Sequence, residues 1–116
     1  VAVEYDTSIN QGADWYINFV YQDTTTNTPI NITGYTAALQ LRSLPSDTTT
    51  ALSLTSPAGG ITITGAQGLV AVHATAAQTG AIVAGYYYYD VEITSPANIV
   101  TRLVQGQILV SAQVTR

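Results

Sequence analysis

Ala84–Val114 reads AGYYYYDVEITSPANIVTRLVQGQILVSAQV. Over Gly85–Thr94 and again over Ile99–Val114, β-branched and aromatic residues alternate with polar ones, the period of a strand with one buried face. The Ser95, Pro96, Ala97 and Asn98 cluster between them is turn chemistry. The two runs read as a long β-hairpin, and Gly106 is expected to mark a bulge or bend in its second arm. One cation fixes the register. If Pro96 and Ala97 alone were unpaired, Arg102 would lie opposite Val91 and share a face with Ile93, where burying an unpaired guanidinium is costly. A three- or five-residue loop shifts the pairing by one. Arg102 then faces Glu92 or Asp90 and Leu103 joins Val91 and Ile93 in the core; this odd-length loop is expected.

The run Tyr86–Tyr87–Tyr88–Tyr89 lies on the first arm, so a strand must send two rings to each face. One pair is expected to pack with Val91 and Ile93. The other shares the face of Asp90 and Glu92 and should be exposed. With Trp15 or Tyr16 nearby, and with Arg102, it forms a candidate interface made of Trp15, Tyr16, Tyr86, Tyr88, Asp90, Glu92 and Arg102. Aromatic residues of this kind are enriched both at protein interfaces and where sugars stack.

Outward from the hairpin, the same period recurs. Val1–Tyr5 has apolar odd positions. Asp14–Gln22 (DWYINFVYQ) places Trp15, Ile17, Phe19 and Tyr21 on one face and Tyr16, Asn18 and Val20 on the other. Tyr35–Arg42 sends Tyr35, Ala37, Leu39 and Leu41 inward, with Thr36, Gln40 and Arg42 outward. Ala51–Thr55 and Ile61–Thr64 are short strands joined through SPAGG, where Pro57 and Gly59–Gly60 suit a tight reversal. Leu69–Ala74 is entered through GAQG at Gly65–Gly68. Only Thr75–Ala84 favours helix, and Gly80 limits it to about a turn. Seven to nine strands with regular turn signals and at most one short helix predict an all-β, two-sheet antiparallel sandwich, immunoglobulin-like or jelly-roll. The Ala84–Gly85–Tyr86 approach to a strand leans towards the first, because a tyrosine often ties down a corner there.

The 116 residues suit one domain spanning 1–116, with 47% apolar residues to form its core. Only 9% are charged, and lysine is absent; the cations are Arg42, Arg102 and Arg116. Such a surface relies on Thr, Ser, Asn and Gln and suits a protein covered by neighbours. A net charge of −4 argues against nucleic-acid binding, which needs clustered cations. No apolar run approaches the roughly 20 residues of a spanning helix, so no membrane partner is expected. Residues 1–6 lack the basic start and apolar stretch of a signal peptide. With no cysteine, disulfides, thiolate chemistry and cysteine metal sites are excluded together.

Candidate catalytic residues are sparse. His73 is the lone histidine, on a strand with Leu69 and Ala71, and the sequence supplies no partner for it; a structural or surface role is expected. Asp14, Asp23 and Asp47 sit at strand or loop ends, where aspartate caps turns. Nothing has the carboxylate density of a calcium site. Asp90 and Glu92 share a face, but a glycosidase pair must flank a cleft; a solvated or Arg102-paired face is the expectation. No glycine-rich loop precedes a helix in the phosphate-binding pattern. No enzyme, cofactor or metal site is expected.

Four stretches together resemble a family of small structural proteins of tailed-bacteriophage virions. They are Gly12-x-Asp14-Trp15 leading into INFVYQD, PINITGYTAALQLR (Pro29–Arg42), AGYYYYDVEIT (Ala84–Thr94) and TRLVQGQILVSAQVT (Thr101–Thr115). The resemblance covers most of the chain, through short structural motifs. It implies a homo-oligomer in the phage particle, made in the host cytoplasm and docked on the major capsid protein or another virion protein. The role it implies is a capsid decoration or cement subunit, or alternatively a tail, baseplate or fibre-attachment module. From a different class, the exposed aromatic face alone admits a carbohydrate-binding sandwich.

Overall fold

The computed structural model describes residues 3–23, 25–56 and 59–114. The hairpin forms as expected, from β10 (Gly85–Thr94) and β11 (Val100–Ser111). Thr94 pairs with Val100, which leaves a five-residue loop, and Glu92 pairs with Arg102. The Ser95 amide closes this loop by donating to Ile99 O at 2.9 Å, and Asn98 takes φ 66°. A twelve-residue strand is about 40 Å long, comparable with the molecule's longest extent of 44 Å.

The bulge lies elsewhere than expected. Glu92 pairs with Arg102 but Val91 pairs with Val104, so Leu103 is the extra residue. Without it, an outward Arg102 would force Gln105 and Gln107 inward. The inserted residue reverses the alternation, and Leu103, Val104, Ile108 and Val110 are all buried. Gly106 stays in register with Tyr89. Its missing side chain serves another purpose: a Cβ there would overlap Tyr5 O, so the N-terminal segment passes directly against it.

That segment comprises β1 (Val3–Glu4) and β2 (Thr7–Asn10), which pair in turn along β11. Both pairings are parallel, Val3 with Val104 and Thr7 with Ile108, which corrects the expectation of purely antiparallel sheets. Parallel partners need a long connection; here it is nearly the whole chain, which local periodicity does not record. β10 also pairs with β6 (Thr36–Arg42), and β6 with β7 (Leu52–Thr55), completing a six-stranded sheet in the order β1-β11-β10-β6-β7 with β2 beside β11. The second sheet is β3 (Trp15–Val20), β9 (Leu69–Ala74) and β8 (Ile61–Thr64), in the order β3-β9-β8. A ribbon of β4 (Gln22–Asp23) and β5 (Thr28–Pro29) stands apart.

Inward residues of both large sheets form one core. Leu39, Leu41, Val91, Ile93 and Ile108 from the larger sheet join Trp15, Phe19, Ile61, Val70 and Val72 from the smaller. Burying each such side chain contributes about 1.5–3 kcal/mol. The inward set expected for 35–42 is observed at Ala37, Leu39 and Leu41. The helical turn is α1 (Ala76–Gly80), capped by Thr75 and Gln78. Fully buried Thr79 pins it to the β2–β3 turn, donating to Ala13 O at 2.8 Å and accepting from Gly12 N at 3.1 Å. Pro57 and Ala58 fall outside the described residues; Gly60, beyond them, takes φ 103°. Among the described residues no helix is long and apolar enough to cross a membrane.

Candidate functional site

β10 divides its tyrosines as the period requires. Tyr87 and Tyr89 are 8% and 4% exposed, whereas Tyr86 and Tyr88 are 73% and 39% exposed. The inner pair is anchored through its hydroxyls. Tyr87 donates to Val83 O at 2.5 Å, four residues back, and Tyr89 donates to Tyr5 O at 2.5 Å, tying β10 to the N-terminal segment across β11. Burial, with Tyr5, Asp6 and Glu4 nearby, pushes the Tyr89 phenol well above its ordinary range, so it stays a donor.

The outer pair stands on the solvent face of the six-stranded sheet. Tyr86 lies opposite Leu109, itself 37% exposed, and Tyr88 opposite Gln107 on one side and Arg42 on the other. Beyond Tyr88 the face turns polar and sinks into an open depression of about 670 Å³. Glu4, Asp6, Asp90 and Glu92 line it, against Arg42 and Arg102. Four of the chain's seven acidic side chains and two of its three arginines therefore meet here. A chain of contacts spans three strands: Glu4 Oε1 accepts from Gln105 Nε2 at 2.8 Å, Gln105 Oε1 accepts from Arg102 Nη1 at 3.0 Å, and Arg102 Nε meets Asp90 Oδ2 at 3.3 Å. Arg42 is held by Gln40 Oε1 and by Asp47 O. The expected Arg102–carboxylate pairing is thus present. On an open face it is worth at most about 1 kcal/mol, but it fixes where charge is presented.

Two of the sequence-selected residues stand elsewhere. Trp15 is buried in the core, which removes it from any surface, and Tyr16 stands on the three-stranded sheet. The structure brings together Tyr86, Tyr88, Asp90, Glu92 and Arg102. Sequence reasoning missed Leu109, Gln105 and Gln107, because their outward aim depends on the bulge at Leu103.

His73 gains the partner that the sequence did not supply. Its Nε2 lies 3.1 Å from Asp14 Oδ2, and its ring stacks on Tyr16 at 4.3 Å and 4°. Asp14 Oδ1 also accepts from Ala76 N at 2.8 Å. The His73 hydrogen bond, then the Ala76 amide, lower the Asp14 carboxyl below its ordinary value. Register explains the meeting, since Trp15 pairs with Ala74. Among the described residues, no hydroxyl is hydrogen-bonded to His73. Asp23 and Asp47 cap loops as expected, accepting from Thr25 N and Leu44 N. Compared with known proteins, the chain matches no family model and no curated sequence.

Proposed function

We propose that this chain is a non-enzymatic structural subunit of a phage particle, a capsid decoration or cement protein that bridges capsid subunits through the outer face of its larger sheet. The observation that carries the contact role is the uncovered Tyr86, Tyr88 and Leu109 group beside the Arg102–Asp90 pair. Aromatic anchors flanked by an oriented guanidinium are the usual make-up of an interface centre. The sequence resemblance supplies the virion setting. Sparse charge elsewhere supports a life spent covered by neighbours.

The strand order supports the immunoglobulin-like alternative over the jelly roll. In an immunoglobulin scheme β3, β9 and β8 take the places of strands B, E and D, and β6, β10 and β11 those of C, F and G. β7, beside β6, then corresponds to the additional strand of the variable type. The Tyr87–Val83 bond resembles a tyrosine corner.

Purified particles test the reading through copy number. Hundreds of copies per particle support the head, a handful supports the tail or baseplate, and absence from particles overturns the virion setting. Tyr86→Ala with Tyr88→Ala is expected to abolish docking while leaving the fold intact. A carbohydrate-binding reading draws on the polar depression next to Tyr88; a glycan array without signal at high protein concentration removes it.

A further inference from the structure

The free sheet edges differ in how they are protected. β1–β2 is interrupted at Tyr5–Asp6 and carries Glu4 and Asp6. The β7 and β8 edges approach each other, where Thr55 and Gly59 exchange backbone bonds of 3.0 and 2.9 Å and Thr55 bridges Gly60. β3 differs from all of these. WYINFV is six residues without interruption, with no charge, proline or glycine, although edge strands ordinarily carry such protection.

Its backbone polarity follows from neighbouring bonds. His73 N donates to Gly60 O, so odd residues of β9 turn towards β8 and even ones towards β3; Tyr21 N donates to Gly68 O in the same ladder. Trp15, Ile17 and Phe19 therefore bond β9, and Tyr16, Asn18 and Val20 turn their N–H and C=O groups outward. Among the described residues, no backbone bond outside the β3–β9 ladder involves these three. Along this edge runs an apolar crevice of about 340 Å³, lined by Val3, Tyr5, Ile17, Phe19, Leu103 and other uncharged residues.

We infer that β3 is a self-association edge whose occupant is β3 of a second copy of this chain, antiparallel about a two-fold axis through Asn18. Residues facing one another must project to the same side of the sheet, and the bonded pairs must be the outward-turned ones. Both conditions hold when Asn18 faces Asn18 and Tyr16 faces Val20 of the second copy, so each pair closes both N–H···O bonds. Ile17 then faces Phe19 of the second copy over the crevice. The charge pattern fits a second copy: the edge and crevice are neutral, and the register sets Asp14 opposite Gln22, so no like charges oppose. Joining the edges makes one continuous sheet, β8-β9-β3 and its mate. This surface is separate from the Tyr86 face, so the inference does not depend on the capsid role.

Sedimentation of the full chain over a concentration series tests it, together with two substitutions. The natural chain is expected to dimerise. Asn18→Lys, which sets two like charges face to face, should leave a folded monomer with an unchanged circular-dichroism spectrum and a melting temperature that no longer rises with protein concentration, whereas Ser8→Lys on the β2 edge should leave the dimer. Asn18→Cys, in a chain without other cysteines, should form an intermolecular disulfide on mild oxidation, because bonded antiparallel Cα atoms are about 5.5 Å apart. A natural chain that stays monomeric at the highest concentration overturns the inference. So does a dimer that survives Asn18→Lys, or an Asn18→Cys chain that does not cross-link. If Asn18→Lys fails to fold, the cross-link decides alone.

Discussion

Tyr87 and Tyr89 differ from Tyr86 and Tyr88 in nothing but parity, yet the two pairs do opposite work. The inner rings fill the space between the sheets, and their hydroxyls reach backbone carbonyls at Val83 and Tyr5. Of the outer rings, Tyr86 pairs across with Leu109 and Tyr88 with Gln107 and Arg42, and most of Tyr86 is in water. One strand therefore ties the fold together on one side and leaves two rings uncovered on the other, the face proposed above for contact. A residue type carries no role by itself; the role comes from the face that alternation assigns.

Truncation should separate the two pairs most. Tyr89→Ala is expected to destabilise the fold by about 3–5 kcal/mol, as for a buried aromatic side chain, and Tyr88→Ala by less than about 1 kcal/mol. Denaturant unfolding measures both, and similar losses would erase the distinction. Gly106→Ala probes the same anchor from β11: its methyl meets Tyr5 O, so β1–β2 must shift, at about 1–3 kcal/mol. A melting temperature equal to that of the natural chain would show that the N-terminal segment does not press on Gly106. Tyr89→Phe keeps the ring and removes the donor, leaving Tyr5 O without that bond, for about 1 kcal/mol.

The smallest effect concerns a carboxylate away from β10. The Asp14 carboxyl is lowered in the folded state by His73 and the Ala76 amide, so its contribution is present above the unfolded value of 3.8 and is lost as pH falls through the lower folded value. Asp14→Asn should therefore flatten the acid limb of a stability–pH curve and leave the tyrosine comparison untouched. An acid limb identical to the natural chain's would mean that the Asp14–His73 contact does not form in solution.

Much of the fold was legible because period-two patterns report faces directly. The split of Tyr86–Tyr89, the inward set Ala37, Leu39 and Leu41, and the outward Arg102 all follow from alternation plus the cost of burying a cation. The bulge was half legible. Leu103–Val104, two apolar residues in succession, break the alternation, yet Gly106 drew attention because glycine is the commoner marker. Trp15 shows the opposite error: its own alternation set it inward with Phe19, and that outweighs the general preference of tryptophan for interfaces. Long-range pairings left no local trace. Neither the parallel seating of β1 and β2 on β11 nor the meeting of Asp14 and His73, separated by 59 residues, is written in a neighbouring pattern. β2 (TSIN) has a single apolar residue, and the strands of the β4–β5 ribbon have two residues each, so neither shows a period.

The parallel seating of β1–β2 on β11 also has a mechanical meaning. Because the strands run the same way, tension on the chain before Val3 and after Ser111 pulls the two strands along each other. The bonds of that seam are loaded in shear and must yield together, rather than opening one at a time as a hairpin does when peeled from its end. Tyr89, bonded to Tyr5 across β11, lies athwart the direction of sliding and acts as a catch against it. If the chain staples neighbours on a shell, as proposed, this seam is where such load would be borne.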